Sequence, residues 1–140
     1  MTVDDSLLWW VVALNLAAGV AHGVSHGVAS VSLPLWGDAV AGLTVGMLPL
    51  VGLALRSTGR LRTGTAVVAL AGLAALAFEG LAHFVVPNPD HVGAVADGAA
   101  LFAGTAALTT VGDVLLVVTA GWLLVHSRHG RVISVSDSST

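Results

Sequence analysis

Four long apolar stretches separated by short polar segments dominate this chain. The stretches are residues 7–29, 35–55, 65–86 and 98–125. About 20 apolar residues are enough for one helix to cross the hydrocarbon core of a bilayer, and the segments between the stretches are rich in turn-forming residues. The pattern predicts an all-α, up-down bundle of four transmembrane helices in one membrane domain over residues 1–140, with a cytoplasmic tail over 126–140. Pro49, inside the second stretch, predicts a kink.

The composition supports a chain that is embedded in lipid. Of the 140 residues, 56% are hydrophobic and 9% are charged, whereas soluble proteins are about 25% charged. A soluble domain of this length buries only about two-thirds of the surface of its unfolded chain, so this much apolar surface requires lipid. Because cysteine is absent, thiolate metal sites and disulfides are excluded. A net charge of −3 without a basic run argues against a nucleic-acid partner.

The arginines predict how the bundle is oriented. Arg56, Arg60 and Arg62 lie between the second and third stretches, and Arg128 and Arg131 follow the fourth. By the positive-inside rule, this distribution places both termini in the cytoplasm. The absence of lysine together with abundant Ala, Val and Gly is typical of a GC-rich prokaryotic genome. We therefore expect a multi-pass protein of a prokaryotic cell membrane.

Polar side chains interrupt the first and third stretches at the same predicted depth, in the outer half of the bundle. His22 and His26 are four residues apart, as are Glu79 and His83, so each pair lies on one side of its helix. A charge within the membrane costs about 2.5–3.5 kcal/mol on insertion scales, so these residues should face the bundle interior and have partners. At an offset of 57 residues the two pairs align, which favours a tandem duplication of a two-helix unit.

The residue types in this cluster favour a metal site. Neutral imidazole is the commonest protein ligand for transition metals such as Zn, Cu and Fe. We therefore predict His22, His26 and His83 as ligands, with Glu79 as the fourth ligand or as a general base. Haem between opposed histidines is a less favoured alternative. Interhelical hydrogen bonding alone is another, although such bonds average only about 0.6 kcal/mol.

Two further functions remain open. Asp113 in the fourth stretch and Asn15 in the first are candidates for a polar pathway that conducts protons or cations. Glycines spaced four residues apart predict close helix packing, either within the bundle or in a homodimer or larger membrane complex with this chain as a structural subunit. These glycines are Gly19, Gly23, Gly27, Gly42 and Gly46. Because no known catalytic motif is present, the sequence does not decide whether the protein is an enzyme.

Overall fold

Four apolar helices build the protein. The computed structural model describes the backbone of residues 3–136 and the side chains of residues 6–126, and this part is helical without strands. Its elements are α1 (Val3–Val28), α2 (Leu35–Ala41), a π-helical segment (Gly42–Met47), α3 (Leu48–Ser57), α4 (Leu61–Phe84) and α5 (Ala99–Ser136). The three elements from α2 to α3 run without a break and form one helix, termed the second span. All four helices are long and apolar enough to cross a membrane, which confirms the predicted fold class.

The second span changes its helical geometry just before Pro49. Proline has no N–H to donate, and in a regular α-helix its ring would clash with the carbonyl group four residues earlier, that of Val45. The chain widens into a π turn over Gly42–Met47, so that the Leu48 N–H donates to the Leu43 carbonyl oxygen, five residues back. The helix therefore accommodates the proline by a local π turn.

The fourth helix, α5, packs against both α1 and α4, and α3 packs against α4. The closest crossings occur at glycines that the sequence analysis did not select. A Cβ atom on Gly64 would overlap the Gly52 carbonyl oxygen, and one on Gly112 would overlap Asn15 Oδ1. Glycine therefore does permit close helix packing here, as expected in lipid.

The predicted glycine ladders, by contrast, are mostly not packing surfaces within the bundle. At Gly19 an added Cβ would lie 2.7 Å from Val45 Cγ1, which marks the close approach of α1 to the second span. At the remaining four positions an added Cβ would meet no atom within 4 Å: Gly23, Gly27, Gly42 and Gly46. Within the bundle these four glycines pack against no other helix, because their spacing shows only that small residues share a face; packing in a homodimer or a larger complex stays a prediction.

The two ends of the bundle differ in chemistry. Near the arginine-bearing connection, the interior is a buried apolar layer formed by Leu8, Val11, Val12, Leu53, Val68, Leu116, Ala120 and Leu123. The opposite end, where α1 and α4 both finish, is termed the histidine end. The parallel course of α1 and α4 is compatible with a duplicated two-helix unit, although only the second span contains a π turn. The side chains of Arg128 and Arg131 lie outside the described residues.

Candidate metal centre

Three imidazole nitrogens converge at the histidine end. His22 and His26 come from consecutive turns of α1, and His83 comes from the last turn of α4. The Nε2 atom of His22 lies 2.9 Å from Nε2 of His83 and 3.2 Å from Nε2 of His26. Ligand atoms of the three residues all lie within 4.8 Å of one another. Because Zn–N bonds are about 2.0–2.1 Å long, two ligands of a tetrahedral ion stand about 3.3 Å apart. The His22–His83 and His22–His26 distances are close to that value.

The second nitrogen of each outer imidazole faces a backbone carbonyl. His83 Nδ1 lies 2.9 Å from the Asp90 carbonyl oxygen, and His26 Nδ1 lies 3.4 Å from that of Val31. A carbonyl oxygen can only accept a hydrogen bond, so Nδ1 is assigned the proton in both rings. In the neutral imidazole, Nε2 then carries a lone pair.

His22 is held in the same tautomer by two hydroxyl groups. The Ser25 hydroxyl donates to the His22 carbonyl oxygen at 2.7 Å. The Thr105 hydroxyl lies 2.9 Å from both Ser25 Oγ and the Leu101 carbonyl oxygen. With its one proton donated to either of them, its oxygen accepts from His22 Nδ1, which lies 3.1 Å away. All three Nε2 lone pairs consequently face one another, and a cation among them would remove their repulsion. Such outward N–H bonds are typical of metal-ligating histidines.

Asp90, which the sequence analysis did not select, supplies a negative charge beside the cluster. Its Oδ2 lies 3.3 Å from His83 Nδ1, and its Oδ1 lies 3.3 Å from His26 Nε2. The second contact lacks hydrogen-bond alignment, and Oδ1 is unpaired among the described residues. Asn88 folds the loop inward, because its Oδ1 accepts the Asp90 N–H at 2.7 Å and its Nδ2 donates to the Ala82 carbonyl oxygen at 2.8 Å. The turn-forming sequence PNPD was the available signal.

Glu79 and the Asn15–Asp113 pair lie outside the group of three histidines. Glu79 is buried one turn deeper on α4, and its Oε2 has no hydrogen-bond partner in the described part of the chain. Asn15 Nδ2 donates to Asp113 Oδ1 at 3.1 Å, and both side chains are buried. The structure thus brings three of the four predicted metal-site residues together and joins the two predicted pathway residues as a separate pair.

A cleft gives access to the histidine cluster from one side. It has a volume of about 550 Å³ and lies between α1, the second span and α4. The three histidines line it together with Glu79 and Asp90. On the α5 side the buried ring of Phe102 lies 5.1, 4.9 and 5.6 Å from the rings of His22, His26 and His83. A metal ion held by these rings would therefore be reached through the cleft.

Comparison with known proteins assigns no family to this architecture. The chain matches no protein-family model, no curated protein and no solved structure. A proposal for the function of this protein therefore rests on the geometry of the histidine cluster and of the cleft beside it.

Proposed function

We propose that this protein binds one transition metal ion through the Nε2 atoms of His22, His26 and His83. The observation that carries the proposal is that three Nε2 atoms converge, while Nδ1 of each ring faces an oxygen that can accept its proton. Imidazole ligands suit Zn, Cu and Fe. Zinc is the first choice because it imposes no geometry through its d-electrons and commonly takes three protein ligands.

The fourth position on such an ion would face the cleft, since Phe102 covers the other side of the cluster. Three protein ligands with an open fourth position are typical of catalytic zinc sites. Glu79 lines the cleft and would serve as the fourth ligand or accept a proton from a metal-bound water. Asp90 would orient His83 and offset part of the metal's charge, as carboxylates next to metal-bound histidines do.

The spacing of the histidines favours a bare ion over haem. A haem held by two histidines has its macrocycle between the opposed imidazoles. Here His22 Nε2 lies 2.9 Å from His83 Nε2, and the His22 and His83 rings meet edge-on with their centroids 4.6 Å apart. No space separates these rings for a macrocycle.

We further propose that the histidine end faces outward from a prokaryotic cell membrane, with both termini in the cytoplasm. The support is that the connection bearing Arg56 and Arg60 lies at the opposite end of the bundle from the histidine cluster. A reporter fused in the loop at Asn88 should then report the outside, and one fused after Thr140 the cytoplasm. A cytoplasmic signal from the Asn88 fusion would reverse the orientation.

A conduction pathway receives less support than a metal site. From the histidine end, buried polar groups continue through Glu79 and Thr109 to the Asn15–Asp113 pair. Beyond that pair, the buried apolar layer closes the bundle interior toward the arginine-bearing connection. On that side the one buried polar side chain among the described residues is Thr65, which bonds Arg56 and the Leu61 carbonyl oxygen, so a cation would meet no buried carboxylate there.

The metal content of the purified protein tests the proposed metal site. The detergent-purified protein should contain about one equivalent of metal, or should take up Zn²⁺ or Co²⁺, the latter with the visible absorption of tetrahedral cobalt. His83→Ala should abolish this binding. His126→Ala is the matched control because His126 is exposed on α5, at the end away from the cluster. A wild-type protein that binds neither ion would show that the cluster is held by interhelical hydrogen bonds alone.

A further inference from the structure

The cleft beside the histidine cluster is larger than metal binding requires. Its volume of about 550 Å³ lies within the range of small-molecule sites, about 300–1,000 Å³. Gly23 of α1 faces it from one side, and Gly42 and Gly46 of the π segment face it from another. A Cβ at any of these three positions would meet no atom within 4 Å, so the glycines keep the cleft open. Gly23 and Gly42 are exposed, and the cleft therefore opens sideways, toward lipid.

Hydrogen-bond acceptors and negative charge line this cleft. Glu79 is 4% exposed and Asp90 is 5% exposed, and each has one carboxylate oxygen without a hydrogen-bond partner among the described residues. Asp38 adds a third carboxylate at the exposed mouth. The described lining contains no arginine. The cleft therefore presents three carboxyl groups and no permanently cationic side chain.

We propose that the cleft binds a lipid-like molecule that has an apolar chain and a primary ammonium head group. An ammonium group offers three donors and one positive charge, which complements the carboxyl groups of Glu79, Asp90 and Asp38 along the cleft. The apolar chain would contact the hydrophobic part of the lining, formed by Val20, Val31, Leu33, Val45 and Phe78. The three carboxyl groups line the cleft with or without the proposed metal, so this inference does not depend on metal binding.

Equilibrium binding of labelled dodecylamine to the protein in lipid nanodiscs tests the proposal. Dodecanol and dodecanoic acid have the same chain with a neutral or an anionic head, and empty nanodiscs measure simple partitioning. We expect saturable binding of one amine per chain, at least about tenfold tighter than that of dodecanol, because a charged ammonium group bonds carboxylates more strongly than a neutral hydroxyl does. Equal binding of the three amphiphiles after correction for partitioning would overturn the proposal.

Substitutions of the cleft glycines locate the binding. Gly23→Leu fills the cleft from α1 and Gly42→Leu fills it from the π segment, and each should weaken amine binding by at least about tenfold. Gly27→Leu is the matched control, because Gly27 has equally open space one turn along α1 but does not line the cleft. It should leave amine binding unchanged. Amine binding that persists in both Gly23→Leu and Gly42→Leu would refute the assignment to this cleft.

Metal content, measured in the same samples, separates this proposal from the metal site. We expect Gly23→Leu to retain its metal while it loses amine binding. We expect His83→Ala to lose its metal while the preference for amine over alcohol persists, because the carboxylates remain. Glu79→Gln should reduce that preference by removing the buried charge. An unchanged preference in Glu79→Gln would contradict the role of this carboxylate.

Discussion

Asp90→Asn probes the arrangement around the histidine cluster most directly. The Asp90 carboxylate lies 3.3 Å from His83 Nδ1, and the Asp90 carbonyl oxygen accepts that N–H at 2.9 Å. Asparagine keeps the size of the side chain, the carbonyl contact and the backbone bond to Asn88, so the substitution removes mainly the charge. Removing a hydrogen-bonding partner of a metal-bound histidine typically lowers the metal affinity about 10–100-fold. Because the carbonyl contact persists, we expect Asp90→Asn to lower the zinc affinity by the smaller of these factors, about tenfold, which corresponds to about 1.4 kcal/mol.

The assay is a competition titration of Zn²⁺ between the purified protein and a chromogenic chelator. Asp38→Asn is the control, since it makes the same chemical change in the same cleft. Asp38 is exposed and lies outside the group of ligand atoms that converge, so its substitution should leave the zinc affinity unchanged. Equal zinc affinities of the wild type and Asp90→Asn would refute the view that the Asp90 carboxylate supports His83 as a ligand.

Three other outcomes follow from the geometry. Glu79→Gln should weaken zinc binding less than His83→Ala, which removes an imidazole; equal metal content in wild type and both variants would contradict the metal site. Gly64→Ala should destabilise the bundle by about 1–3 kcal/mol, because the new Cβ overlaps the Gly52 carbonyl oxygen. Thermal unfolding in detergent checks this, and Gly27→Ala should cause no such loss. Liposomes with the wild-type protein should show no proton flux above protein-free liposomes, and a clear excess would contradict closure by the apolar layer.

The helices could be predicted from the sequence because an apolar run long enough to cross a bilayer is a local property. The approach of His22, His26 and His83 could be inferred for a related reason. A spacing of four residues fixes the face of a helix, and span boundaries fix the depth of a residue in the membrane. Face and depth together are enough to bring three polar side chains to one level of the bundle.

The position of Asp90 and the role of the glycines could not be predicted in this way. Asp90 reaches the cluster only because the loop after α4 folds back. In that loop Asn88 donates to the Ala82 carbonyl oxygen and accepts from the Asp90 N–H. The four-residue spacing of the glycines on α1 and on the second span shows which face of each helix carries small residues. It does not show whether another helix covers that face. Both features are tertiary, so neither leaves a periodic pattern in the sequence.

The positions of the buried polar groups favour ligand binding over the conduction of protons or cations through the bundle. In lipid, an unpaired carboxylate is costly wherever it lies, and the acids Glu79, Asp90 and Asp113 all lie on the histidine side of the apolar layer. A pathway would spread such groups along the whole length of the bundle. Here Glu79 and Asp90 line the cleft beside the histidine cluster, Asp113 pairs with Asn15, and the opposite half is packed mainly with apolar side chains. The polar groups therefore fit a ligand that enters and leaves from the same side.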